Sequence, residues 1–140
     1  MSNKSELQKN NEILEAVLEL VQKLSNVPTM DLLWENASPT SDFAPQTISL
    51  DLSNYDAVLI DFAFNNGNYI AQSNMSFTEV GRGGQGLYLW ADTSKVYHRS
   101  FTTSETGVAF TKGWAAGSEG AGTVVPIKIY GIKGLPLGVN

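Results

Sequence analysis

The sequence predicts an antiparallel β-sandwich or jelly-roll-like module in residues 29–140, preceded by one helical stem in residues 1–28. Before Pro28, apolar residues recur at the spacing of a helix. After Pro28, short runs of alternating apolar and polar residues are separated by Gly, Asn, Ser and Thr. The length of this second part suits a single sandwich or barrel.

The N-terminal segment has the pattern of an amphipathic helix with two adjacent apolar seams. These seams are formed chiefly by Ile13, Leu14, Val17, Leu18, Leu20, Val21 and Leu24. Ser5 is the expected N-cap, with Gln8 as its capping-box partner, and Pro28 is expected to stop the helix. Because this face is broader than a two-stranded coiled coil needs, we predict that the seam residues form the oligomerisation interface of a homotrimer.

Two other roles for the helix are consistent with the same pattern. It could pack its apolar face on its own β-module, or it could dock on a different protein. A membrane-surface helix is disfavoured, because the polar face carries Glu12, Glu15 and Glu19 rather than an excess of lysine and arginine. No transmembrane run and no signal peptide is visible in the sequence, so we expect synthesis in the cytoplasm and no membrane partner.

The rest of the chain is expected to form about eight strands, marked by period-two alternation and by β-branched and aromatic residues. The predicted strands are Met30–Glu35, Gln46–Leu52, Ala57–Phe64, Tyr69–Phe77, Leu87–Asp92, Lys95–Thr103, Val108–Thr111 and Thr123–Ile132. In the fifth of these, Tyr88 and Trp90 share the face opposite Leu87 and Leu89. One of these two pairs should therefore face outward or into a subunit interface.

Composition excludes several classes of function. A net charge of −5 without any basic run argues against a nucleic-acid partner. The absence of cysteine excludes disulfides, thiolate catalysis and cysteine-based zinc sites. His98 is the only histidine, and we expect it on a strand surface rather than in a metal site or a catalytic triad. We expect no cofactor.

Two residues are candidates for ligand contact. Gly81–Gly86 matches the spacing of a dinucleotide-binding loop, but a strand follows it instead of a helix, so we predict a flexible connection with Arg82 at its tip. Arg82 could contact an acidic ligand or a neighbouring subunit. Trp114 lies in a Gly- and Ala-rich stretch typical of a loop, where its exposed ring could contact a host-surface glycan.

The carboxylates are scattered along the β-module rather than grouped in a motif. A glycosidase needs two of them roughly 5–10 Å apart across a cleft, and the sequence alone neither shows nor excludes such a pair. We therefore predict a protein that is not an enzyme. The alternatives are a glycan- or receptor-binding module, a small glycosidase, and an assembly chaperone or regulator whose helix holds a partner.

The stretch from Leu33 to Ile60 resembles the opening of β-modules in bacteriophage and prophage structural proteins, and Val125–Lys133 resembles their final strand. Such modules commonly end tail-fibre, baseplate or head-fibre proteins. The resemblance covers most of residues 30–133 and includes no catalytic motif. It implies a virion component, typically trimeric, with a helical stem and a β-rich head. The short length favours a small fibre or decoration protein bound to other virion proteins on the capsid or tail.

Overall fold

The computed structural model describes residues 4–25, 27–65, 70–92, 95–115, 118–119 and 124–135. Within these ranges the chain is mainly β, with one helix and nine strands. The elements are α1 (Glu6–Ser25), β1 (Thr29–Glu35), β2 (Gln46–Ser49), β3 (Ala57–Asn65), β4 (Ile70–Glu79), β5 (Gln85–Asp92), β6 (Lys95–Ser104), β7 (Gly107–Ala115), β8 (Ser118–Glu119) and β9 (Val124–Lys133).

The strands after α1 form two antiparallel sheets, which we call the β-domain. The first sheet has the order β1-β9-β3-β4, and the second has the order β2-β7-β6-β5, with β8 beside β7. Because β1 pairs with β9, the first and last of the described strands are neighbours. The prediction of an antiparallel sandwich preceded by a single helix is confirmed.

The hydrophobic core lies between the two sheets and takes residues from β2, β3, β5, β6, β7 and β9. Val58 and Ile60 of β3 are fully buried, as the alternation of that strand predicts. Leu87 of β5 and Phe101 of β6 join the same cluster from the second sheet and are also fully buried. Each such side chain contributes about 1.5–3 kcal/mol relative to full exposure. Burial within one chain can therefore stabilise the β-domain.

The helix α1 is capped locally and is not covered by the β-domain. The amide of Ser5 donates to Oε1 of Gln8 at 3.0 Å, and the amide of Gln8 donates to Oγ of Ser5 at 3.2 Å, which is the predicted capping box. Every side chain described from Glu6 to Leu24 is exposed. The alternative in which the helix packs on its own β-module is therefore not observed. No helix in the described ranges is long and apolar enough to span a membrane.

The second strand is shorter than predicted. β2 ends at Ser49 rather than at Leu52. Beyond Ser49, the amides of Leu50 and Leu52 donate to the carbonyl oxygens of Thr106 and Glu105, in the turn between β6 and β7. These backbone groups are satisfied outside the regular ladder, so the chain leaves the sheet without losing its hydrogen bonds.

The seventh strand is longer than predicted, and this places Trp114 differently. β7 extends to Ala115 rather than ending at Thr111, and its last part pairs with β6. The prediction that Trp114 lies in an exposed loop is wrong, because ladder hydrogen bonds to β6 override the weak strand propensity of the Gly- and Ala-rich stretch. Tyr69 and Thr123, the predicted first residues of two strands, lie outside the described residues.

Candidate functional site

The predicted oligomerisation residues form one exposed apolar side of α1. Between 50% and 63% of the surface of each is exposed, and they are Ile13, Leu14, Val17, Leu18, Leu20, Val21 and Leu24. At 3.6 residues per turn they span an arc of roughly 160°. Glu12, Glu15 and Glu19 lie on the opposite side. A continuous apolar surface of this kind is typical of an interaction site.

A second cluster lies on the outer face of the second sheet. Tyr88 of β5, His98 of β6 and Trp114 of β7 are directly opposite one another on three neighbouring strands. The ring centroids of Tyr88 and His98 are 5.7 Å apart, and those of His98 and Trp114 are 6.2 Å apart, with interplanar angles of 28° and 11°. Trp90 is two residues beyond Tyr88 on the same face of β5. We call these four side chains the aromatic row.

The aromatic row is partly open to solvent and partly supported by the sheet. Tyr88 and Trp90 expose 56% and 65% of their surface, whereas His98 and Trp114 are half-buried. The Tyr88 ring extends back along β5 over Gly86, where a Cβ atom would lie only 2.4 Å from the ring. Gly86 therefore leaves the space that the Tyr88 ring occupies.

The structure does not bring the two predicted ligand residues together. Arg82 lies in the turn between β4 and β5, beside Thr103 of β6, whereas Trp114 is opposite His98 farther along β6. At about 3.3 Å per residue, the positions on β6 are roughly 16 Å apart. The guanidinium of Arg82 donates to Oε2 of Glu79 at 3.1 Å. Arg82 is thus exposed, as predicted, but engaged with its own turn.

The glycine-rich segment before β5 forms a turn that is held by hydrogen bonds. Gly81 and Gly84 adopt φ values of 93° and 67°, a region that favours glycine. Oγ1 of Thr103 accepts hydrogen bonds from the amides of Gly81 and Arg82, each at 3.0 Å. A strand follows the turn, so no helix N-terminus is present there to hold a pyrophosphate.

Sequence reasoning missed Arg99, which lies fully buried behind the aromatic row. Its Nε donates to the carbonyl oxygen of Val124 at 2.7 Å, and its Nη1 donates to that of Thr111 at 2.6 Å. Its Cζ lies 5.2 Å from the centroid of the Phe43 ring. The available signal was alternation in β6, which places Arg99 on the same inner face as Phe101.

The hydrogen bonds of Arg99 join the two layers of the β-domain. Thr111 belongs to β7, in the same sheet as Arg99, whereas Val124 belongs to β9 in the first sheet. Burial lowers the pKa of Arg99 to about 10, so the guanidinium is protonated at neutral pH. The charged side chain therefore supports the sheet that carries the aromatic row.

A depression of about 430 Å³ near the glycine-rich turn is lined by several residues, among them the carboxylates of Asp56, Glu79 and Glu105. Two of these have structural partners: Glu79 pairs with Arg82, and Oδ2 of Asp56 accepts from the amide of Leu135 at 3.0 Å. In the part of the chain that the structure describes, no three His, Asp or Glu residues are grouped so as to hold a metal ion.

The outer face of the first sheet carries a different apolar surface. Leu32 of β1, Tyr130 of β9, Leu59 of β3 and Phe77 of β4 are opposite one another across all four strands. We call these four residues the apolar row. Leu32 and Phe77, on the two edge strands, are exposed. This surface is less polar than the aromatic row, since three of its four side chains have no hydrogen-bonding group.

Comparisons with known proteins assign none of these surfaces. No protein-family model matches the sequence, and neither curated proteins nor solved structures give a significant match. The exposed apolar side of α1 and the aromatic row are the two candidate sites.

Proposed function

We propose that this chain is a non-enzymatic structural protein of a bacteriophage virion, a small homotrimeric fibre or decoration protein on the capsid or tail. The observation that carries the trimer is the exposed apolar side of α1. The resemblance of the β-domain to bacteriophage β-modules supports the virion context. In this proposal α1, or the residues before it, binds other virion proteins and the β-domain projects outward, after synthesis in the host cytoplasm.

Within its own chain, α1 lacks stabilising contacts with the β-domain. Most of the stability of a helix in a protein comes from packing of its apolar face, and none of the described side chains of α1 is buried on the β-domain. Full burial of one valine or leucine side chain contributes about 1.5–3 kcal/mol. Association of several copies would bury the seven seam residues and supply the stability that a single α1 lacks.

The width of the apolar side of α1 supports three copies rather than two. Val17 and Leu24 are seven residues apart near the middle of the apolar side, and Leu14 and Val21 flank them. A two-stranded coiled coil buries mainly one seam, whereas a third helix also covers flanking positions. Asn10 lies one heptad before Val17, where a core asparagine would lower stability but specify register. A trimer accounts for both features.

The test of the trimer is the solution mass of the full chain, measured by light scattering coupled to size exclusion. We expect three times the 15.2 kDa of one chain. The double variant Val17→Gln with Leu24→Gln puts polar residues of good helix propensity into the seam and should give monomers. A mass of 15.2 kDa for the unaltered protein would rule out the fibre proposal.

The matched control introduces the same residues on the polar side of the helix. Glu15→Gln with Glu19→Gln should leave the trimer intact, because helix propensity is similar and only the position differs. If the seam variant stayed trimeric as well, the interface would lie in the β-domain. The role of α1 as an oligomerising stem would then be wrong.

Virion membership needs a separate test. Phage particles induced from the strain that encodes this sequence would be purified, labelled with an antibody against the full chain, and imaged by electron microscopy. We expect label on the capsid or the tail. Unlabelled particles in a lysate that contains the protein would refute the virion location and leave the oligomer result unaffected.

A further inference from the structure

We propose that the aromatic row, formed by Tyr88, Trp90, His98 and Trp114, is a binding site for an oligosaccharide. The proposal goes beyond the structural role, which assigns no ligand to the β-domain. It also stands independently of the trimer and the virion, because all four side chains belong to one chain.

The chemistry of the row matches that of a sugar. Tyr88, Trp90 and Trp114 each combine an apolar ring with one O–H or N–H group at its edge. A pyranose has a face of C–H groups and a rim of hydroxyl groups. The exposed surface of these rings can therefore pack on the C–H groups while their O–H and N–H groups exchange hydrogen bonds with the hydroxyls.

The spacing of the rings matches a chain of sugars rather than a single unit. Tyr88, His98 and Trp114 follow one another at 5.7 and 6.2 Å across β5, β6 and β7. Each interval is close to the length of one pyranose unit. An oligosaccharide lying across the strands would place successive units against these three side chains, and Trp90 would widen the contact at the β5 end.

The row is formed before a ligand arrives. All four side chains lie on strands, and the Tyr88 ring occupies the space over Gly86. From behind, Arg99 binds the carbonyl oxygen of Thr111 and so ties β6 to β7. Because these side chains are already ordered, little side-chain entropy is lost on binding, and a surface of modest area can still bind with useful affinity.

The surroundings favour a sugar over other occupants. A bulge in β7 leaves both Thr111 and Lys112 exposed beside the row. The net charge of −5 disfavours nucleic acid. A protein partner would be better served by the apolar row on the first sheet, where Leu32, Leu59 and Phe77 offer surface without hydrogen-bonding groups.

The test begins with the full chain on an array of oligosaccharides built from neutral hexoses, N-acetylhexosamines and uronic acids. We expect binding to at least one of these three classes. Oligosaccharides that bind on the array would then be titrated in solution and followed by tryptophan fluorescence, since Trp90 and Trp114 lie in the proposed site. Binding to none of the three classes would overturn the proposal.

Variants then locate the sugar. Tyr88→Ala and Trp90→Ala should each weaken binding about tenfold, the size expected for loss of one aromatic contact. The matched control is Phe77→Ala, which removes a ring that is 52% exposed, against 56% for Tyr88, from the outer face of the other sheet. The affinity of Phe77→Ala for the oligosaccharide should be unchanged. Equal losses in the control and the row variants would place the sugar elsewhere and overturn the proposal.

A further variant tests the position of a ring rather than its presence. Gly86→Ala keeps all four aromatic side chains. Its added Cβ would lie 2.4 Å from the present position of the Tyr88 ring and would therefore displace that ring. We expect affinity to fall several-fold while the thermal midpoint of the β-domain changes little. Unchanged affinity in both Gly86→Ala and Tyr88→Ala would contradict the site as described.

Discussion

The apolar residues of α1 and those of the β-domain have opposite environments. In β3, Val58 and Ile60 have no exposed surface, whereas in α1 both Ile13 and Leu24 are 63% exposed. Both segments have a regular apolar period, 3.6 residues for the helix and two for the strand. The strands of one sheet meet those of the other within the chain, but the helix meets no such surface. An amphipathic pattern thus predicts that a face is buried without saying which chain buries it.

The largest effect that tests this comparison is expected inside the β-domain. Arg99→Ala removes the donors to the carbonyl oxygens of Val124 and Thr111 and leaves a cavity in the core. We expect the free energy of unfolding of the β-domain to fall by about 3–5 kcal/mol. Urea denaturation followed by near-ultraviolet circular dichroism measures it, while the helical signal at low urea should be unchanged.

The control for Arg99 lies on the outer face of the same strand. Thr102→Ala changes an exposed side chain and should alter the free energy of unfolding by no more than about 0.5 kcal/mol. If Arg99→Ala were as mild as Thr102→Ala, the guanidinium would not be the link between the two sheets.

The next prediction distinguishes α1 from the β-domain by how their thermal midpoints depend on protein concentration. If α1 is stabilised by association, its thermal midpoint should fall by several degrees on about a hundredfold dilution. The β-domain transition should not move, because its core lies within one chain. Circular dichroism in the far and near ultraviolet reports the two transitions in the same samples. A helical midpoint independent of concentration would contradict association of α1.

A smaller effect is expected at the start of the helix. Ser5→Ala removes the Oγ that caps the amide of Gln8, at a cost of about 1 kcal/mol per helix. The helical midpoint should fall while the β-domain transition stays in place. Ser5→Asp keeps a capping oxygen and should retain most of the stability. Equal losses in the two variants would show that the loss in Ser5→Ala does not come from removal of the capping oxygen.

The smallest effect depends on pH and lies in the β-domain. The hydroxyl of Tyr55 donates to Oδ2 of Asp31 at 2.7 Å, and this bond, together with burial, raises the pKa of Tyr55 above 10.0. Because the folded-state pKa is the higher one, the stabilisation is complete below pH 10.0 and is lost as the pH rises through the folded pKa. In Tyr55→Phe, the free energy of unfolding should fall less steeply at alkaline pH.

The titration of Arg99 in the same range has the opposite sign and does not obscure the result. Its folded pKa of about 10 is below the usual value of an arginine, so raising the pH above about 10 relieves the cost of burying the charge. This contribution is present in both proteins and cancels in their difference. Equal alkaline slopes for the parent protein and Tyr55→Phe would contradict the prediction.

Local sequence patterns predicted which residues form each helix or strand better than they predicted which strands pair. The capping box at Ser5 and the stop before Pro28 depend on neighbouring residues, and the alternation in β3 depends on its own side chains. The pairing of Thr29 with Lys133 joins opposite ends of the β-domain and has no local pattern. The extension of β7 was missed for the same reason, since its hydrogen bonds come from β6.

The candidate sites show the same division. Alternation placed Tyr88 and Trp90 on one face, but did not decide which face was outward, because Leu87 and Leu89 opposite them are also apolar. Only strand pairing brings Trp114 beside His98 and completes the aromatic row. The exposure of Arg82 was predicted from its turn, whereas its ion pair with Glu79 depends on geometry that spacing does not specify.

The position of β9 has a consequence for folding during synthesis. β9 is the last described strand and lies between β1 and β3, so the first sheet cannot close until it has left the ribosome. The helix α1 precedes every strand and needs only local hydrogen bonds. If α1 associates as proposed, helices on neighbouring nascent chains of one messenger RNA can therefore meet while their β-domains are still open. The β-domains would then fold on chains that are already aligned through their helices.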